Sequence, residues 1–205
     1  MRSRSISIRI VLVHTPNKDP LVFLHGLSVE VASRLLGCIL ERSIDGAVLR
    51  ARIVETEAYD QTDVASHSFK GETPRTKVMF GPPGRLYVYF TYGMHYCSNV
   101  VVGEVGHGAA VLLRALEPLE GLDVMVARRG KPEAEVTNGP AKLCQAFGID
   151  KTWNGHDLHR EPLRLTVRPP IDQQDIVQTT RVGISQGSDL PWRFYIRNNR
   201  YVSKT

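Results

Sequence analysis

Val48-Leu49-Arg50-Ala51-Arg52-Ile53-Val54-Glu55-Thr56-Glu57-Ala58-Tyr59 is the stretch from which the rest of the chain can be read. Leu49, Ala51 and Ile53 alternate with their neighbours at period two, so a half-buried strand is expected over 47–56. If the strand continues, its parity sends Glu55 and Glu57 to the same core-facing side as Leu49, Ala51 and Ile53. A carboxylate there needs a charged or hydrogen-bonding partner, because burying it alone is too costly. Downstream come His67, Tyr87, Tyr89, Tyr92, Asn99 and Arg114. Together they suggest a flat aromatic pocket with a carboxylate in its wall.

Working outward, 205 residues suit one domain with a sizeable core. The formal charge is +5, from 26 Lys and Arg against 21 Asp and Glu, which leans towards a polyanionic partner. Three cysteines without close spacing argue against a disulfide framework or a zinc site, and for a reducing cytosol. No stretch approaches the roughly 20 apolar residues that span a bilayer. The opening segment carries Arg9 beside a short apolar run and makes no convincing signal peptide.

In chain order, Ser28 and Glu30 open an expected helix over 28–42, with Val31, Ala32, Leu35, Leu36, Ile39 and Leu40 on one face. The run 58–83 is polar and marked by Gly and Pro, and a loop of that length is usually functional. Strands follow at 86–90, 94–102 and 109–115, an antiparallel meander with Tyr92-Gly93 at its first turn. Pro118 is expected to open a helix with Leu119, Leu122 and Met125 or Val126 inward, and Asn138-Gly139-Pro140 another that ends at Gly148. Short strands close the chain at 163–168, 178–184 and 192–196. The expected fold is α+β: a single domain with a central antiparallel, partly rolled sheet flanked by short helices.

Chemically, Glu55 and Glu57 first suggest a glycosidase pair, separated by about 6.6 Å along one strand. Both project from one wall, however, whereas such a pair flanks its bond from two sides. One glutamate is therefore expected to do chemistry and the other to hold structure through an arginine. Arg114, in the apolar run Val111-Leu112-Leu113, needs a carboxylate or a ligand, and Glu57 fits. Tyr87 and Tyr89 share a strand face, while Tyr92 at a turn tip is a candidate wedge between stacked bases. No phosphate loop, nucleophile triad or metal-ligand spacing is present, so no metal or cofactor is expected.

Taken together, these motifs resemble the alkyladenine (3-methyladenine) DNA glycosylase family. The matching stretches are Glu55-Thr56-Glu57-Ala58-Tyr59, Ser66-His67-Ser68, Thr73-Pro74-Arg75, Tyr92-Gly93-Met94, Leu112-Leu113-Arg114, Asn138-Gly139-Pro140 and Arg181-Val182-Gly183. The likeness runs from about residue 32 to 203, and the segment 1–25 matches nothing in it. It implies a variable N-terminal arm over 1–25 and a catalytic domain over 26–205. It also implies a monofunctional enzyme that flips alkylated or deaminated purines out of duplex DNA and hydrolyses the N-glycosidic bond, initiating base excision repair. Glu57 would deprotonate the attacking water, with Arg114 and the backbone of Val182 holding that water. Tyr59 would lie on one side of the base and His67 and Tyr89 on the other, while Asn99 screens purine substituents. Tyr92, with Met94 beside it, would enter the gap in the stack. Arg75, Lys77 and Arg197 are expected to meet phosphates. The expected partner is damaged double-stranded DNA rather than a membrane, met by a monomer in the cytoplasm, or at the nucleoid in a prokaryote. Two rivals remain: a non-catalytic nucleic-acid-binding module, which needs no Glu57 and Arg114, and a hydrolase of free nucleosides, which needs no wedge.

Overall fold

A computed structural model describes residues 19–203. Residues 1–18, most of the expected arm, lie outside the described residues. The end of that segment is packed: Leu21, Phe23 and Leu24 are buried in the core.

One antiparallel sheet, curled as a half-barrel, organises the molecule. Its eight strands are β1 (Ile39–Ile44), β2 (Ala47–Tyr59), β3 (Leu86–Thr91), β4 (His95–Val101), β5 (Ala110–Glu120), β6 (Leu163–Thr166), β7 (Ile176–Thr179) and β8 (Arg193–Ile196). The order runs β3-β4-β5-β2-β1-β6, and β8 joins β2 with β7 on its far side. The expected meander is β3-β4-β5. The long central strand β2 pairs with β5 along one edge. Along the other it pairs first with β1, through Ala47 to Arg52, and then with β8, through Glu55 to Glu57.

Three helices, α1 (Ser28–Leu35), α2 (Leu122–Arg129) and α3 (Pro140–Phe147), accompany the sheet. Val31, Ala32 and Leu35 of α1 and Leu143, Ala146 and Phe147 of α3 bury one face of it, against Leu49, Ile53, Val100, Val111 and Leu113. Burying side chains of this size stabilises by about 1.5–3 kcal/mol each.

The structure corrects the sequence reading in three places. The helix expected over 28–42 stops at Leu35, and Ile39 and Leu40 belong to β1. Gly37, at φ 86°, makes the break, and the apolar run on both sides imitates a continued helical period. The helix expected from Pro118 begins only at Leu122: β5 runs on to Glu120, and Leu119 is exposed. Of the strand expected over 178–184, only the first two residues belong to β7.

The parity of β2 is also corrected. Register between β2 and β5 shifts twice near Glu55, so that Val54 and Arg114 drop out of the pairing. Core-facing positions consequently pass from Leu49, Ala51 and Ile53 to Ala58, with Thr56 bonding the Ala32 carbonyl of α1. Glu55, Glu57 and Tyr59 face the other side. A β-bulge reverses the side-chain alternation beyond it, and alternation in sequence cannot reveal that.

Candidate active site

The face of the sheet away from the helices opens into a cleft of about 360 Å³. Strands β2, β3, β4 and β5 each point side chains into it, and the loop after residue 180 closes one side.

Glu57 has no exposed surface. Its Oε1 accepts from the backbone N–H of Val182 at 2.8 Å and lies 3.2 Å from Nη1 of Arg114, and its Oε2 accepts from the Tyr59 hydroxyl at 2.9 Å. Three donors thus converge on one carboxylate in the cleft wall. Burial first, then the adjacent Glu57 charge, raises the Tyr59 phenol above its ordinary pKa, so it stays a proton donor.

Glu55 sits behind this layer, with no solvent exposure of its own. It accepts from Arg114 Nε at 3.2 Å, Arg193 Nε at 2.6 Å, and the N–H and hydroxyl of Ser203 at 2.7 and 2.9 Å. Arg114 spans both carboxylates and donates its third nitrogen to Ser203. Two glutamates thus face two arginines, which compensates the desolvation of each charge. The two acids differ in setting: Glu55 is saturated inside the protein, and Glu57 stands at the cleft.

Across the cleft stand Tyr87, Tyr89 and His67. His67 Nδ1 is 3.0 Å from the Tyr87 hydroxyl, and its ring meets Tyr89 edge-on at 4.5 Å and 82°. Desolvation, then the nearby Arg75 guanidinium, lowers the His67 pKa to about 4, so the ring is neutral at physiological pH. Asn99 is anchored by donating to the Tyr87 carbonyl at 3.1 Å. At the mouth, Tyr92 is 84% exposed on the turn between β3 and β4.

The structure therefore gathers Glu57, Tyr59, His67, Tyr89, Tyr92, Asn99, Arg114 and Val182 around one cleft. Arg75 stands at its rim, its guanidinium 5.8 Å from the Tyr89 ring centre and 3.5 Å from His67 Nε2. Met94 is on the same turn as Tyr92, 69% exposed, but outside the cleft lining. Lys77 is exposed in the short 3-10 turn Lys77–Phe80, and Arg197 is exposed with Nε on the Gln174 carbonyl; neither lines the cleft. The sequence reading missed Arg193 and Ser203, the anchors of Glu55, because the C-terminal strands are too short to show a period. It also missed Asp63 and Arg181, a buried ion pair behind Tyr59. The only signal was the position of Arg181 just before Val182. Among the described residues, no three His, Cys, Asp or Glu side chains are grouped as metal ligands, and no helix is long and apolar enough to cross a membrane.

The family model for methylpurine-DNA glycosylase (MPG) matches residues 22–200. A protein of Carboxydothermus hydrogenoformans is 56% identical over 176 residues, 85% of this chain and 92% of the relative. One from Methanoculleus marisnigri is 50% identical over 189 residues, 90% and 98% of the two chains. A third, from Nitrosospira multiformis, is 45% identical over 188 residues, 91% and 94%. All three are named, provisionally, as 3-methyladenine DNA glycosylases. With identity this high across nearly the whole length of each relative, the chain belongs to the methylpurine-DNA glycosylase family: it is a DNA glycosylase, a hydrolase whose partner is DNA.

Proposed function

We propose that the chain excises alkylated or deaminated purines, 3-methyladenine among them, from duplex DNA by flipping the damaged nucleotide into the cleft and hydrolysing its N-glycosidic bond with a water activated by Glu57. The observation that carries this reading is the Glu57 carboxylate held by Val182, Arg114 and Tyr59 in the wall of an aromatic slot.

The reaction needs little more. An N-alkylated purine carries positive charge, and the electrons of the broken bond neutralise it as the base leaves. Water adds to the sugar carbon and gives its proton to Glu57. The carboxylate also opposes the positive charge that builds on the sugar in the transition state. Rings at Tyr59, Tyr89 and neutral His67 provide faces for a flat base, and cation–π attraction favours an alkylated one by about 0.5–2 kcal/mol. Extrusion itself costs a few kcal/mol, less for a damaged base, which selects before any contact is made. In this reading Tyr92 and Met94 fill the vacated gap, and Arg75, Lys77 and Arg197 meet phosphates. The exposure of Tyr92 favours duplex DNA over a free nucleoside as the substrate.

The test is abasic-site formation in alkylated duplex. Glu57→Gln is expected to lower single-turnover excision by about 10²–10⁴-fold, the usual contribution of a general base. Its affinity for lesion DNA should stay within a few-fold of the parent, and EDTA should leave the parent rate unchanged. Retained excision by Glu57→Gln, or a rate that collapses in EDTA, overturns the assignment.

A further inference from the structure

Arg181 lies outside the cleft lining, and its side chain is wholly buried. Its contacts nevertheless join three pieces of the cleft wall. Nη1 donates to the Ala58 carbonyl at 3.0 Å, at the end of β2, and pairs with the Asp63 carboxylate. Nη2 donates to the Gly187 carbonyl at 3.1 Å, closing the loop that holds residues 182–186. The guanidinium lies 4.7 Å from the centre of the Tyr59 ring and 5.2 Å from that of Trp192. Asp63 in turn accepts from Ala65 N through its side chain (3.0 Å) and from Ser66 N through its carbonyl (2.9 Å), shaping the turn that presents His67. The residue after Arg181 is Val182, whose N–H rests on Glu57.

We propose that Arg181, held by Asp63, is a positioning residue for base excision. It keeps the Val182 N–H on Glu57 and the Tyr59 ring against the base slot, so that the stacking wall and the water-activating carboxylate are assembled together. This rests on the role given to Glu57 above. Only a planar fork both stacks on a ring and serves several acceptors in fixed directions. A misplacement of about 1 Å at such a site costs on the order of 100-fold in rate.

Removing Arg181 alone strands the buried Asp63 charge, so the main variant is the neutral pair Arg181→Met with Asp63→Asn, and the second is Arg181→Lys. The pair variant is expected to bind undamaged duplex like the parent and to excise about 100-fold more slowly in single turnover. Its Val182 amide should exchange with solvent about tenfold faster or more. Arg181→Lys keeps the charge yet should not restore the rate. A purely structural pair would lower thermal stability and leave Val182 exchange where it was, and that result overturns the proposal. So does full activity in Arg181→Lys, which also decides the matter if the pair variant fails to fold. A parent protein that excises no lesion defeats the Glu57 reading instead, and Val182 exchange still judges the clamp.

Discussion

Tyr92 has a backbone φ of 50°, in the left-handed region that residues with a Cβ avoid at a cost of about 1–3 kcal/mol, and its side chain is 84% exposed. Among the described residues, no packing covers that ring. The turn puts Tyr92 and Gly93 at positive φ with Met94 N on the Thr91 carbonyl, which aims the ring out of the sheet at the cleft mouth. A stacked ring is worth about 1–3 kcal/mol per base, so its loss should reduce the flipped population by roughly 5- to 150-fold. Tyr92→Ala is accordingly expected to slow excision from paired duplex by that factor, to leave the melting temperature unchanged, and to matter least where the lesion is unpaired. Equal losses on paired and unpaired lesions, or an unfolded variant, would make Tyr92 a packing residue.

At the scale of elements, the irregular points of the long strands set the site. Val54 and Arg114 both leave the β2–β5 pairing. The shift turns Glu57 and Tyr59 to the cleft and lets β8 replace β1 beside β2. The far end of β5 depends on Gly121, which has φ 74° and caps α2. A Cβ there would lie 2.5 Å from Leu49 Cδ2 and 2.7 Å from the Val48 carbonyl oxygen. That packing explains why the strand runs through Pro118 and why the helix waits until Leu122. Gly121→Ala is expected to destabilise the fold by about 1–3 kcal/mol, from the strained φ and the contact with β2 backbone, read as a lower denaturant midpoint at unchanged slope. An unchanged midpoint would show that the corner relaxes freely.

The whole molecule carries a formal charge of +5. Much of its cationic surface is already engaged: Glu41 meets Arg50 and Arg164, and Glu133 meets Arg200. Burial alone would raise the Glu41 pKa, but bonds from Thr166, Arg50 and Arg164 hold it at about 2. Arg75, Lys77 and Arg197 are exposed, and among the described residues no carboxylate pairs with them. The logarithm of duplex affinity should therefore fall linearly with the logarithm of salt concentration, by about 0.9 per phosphate neutralised. Replacing any one of these three by alanine should make that slope shallower by about 1, at an equal cost for damaged and undamaged duplex. A salt-independent affinity, or slopes unmoved in all three variants, would place the DNA elsewhere.

By itself, the sequence determined the fold class, the β3-β4-β5 meander and the helix that ends at Gly148, while Tyr59 and Val182 were pointed to only by the family resemblance. The elements are local matters: period-two alternation places Tyr87 with Tyr89, and Gly and Pro mark the turns. It did not determine which side of β2 Glu57 faces, because a bulge depends on the register of two strands more than 50 residues apart. Nor did it show that Arg193 and Ser203 anchor Glu55, or that Arg181 and Asp63 stand behind Tyr59. Those pairings join residues over 100 positions apart, and a buried charge finds its partner only when the chain is closed around it. Tertiary structure decided them.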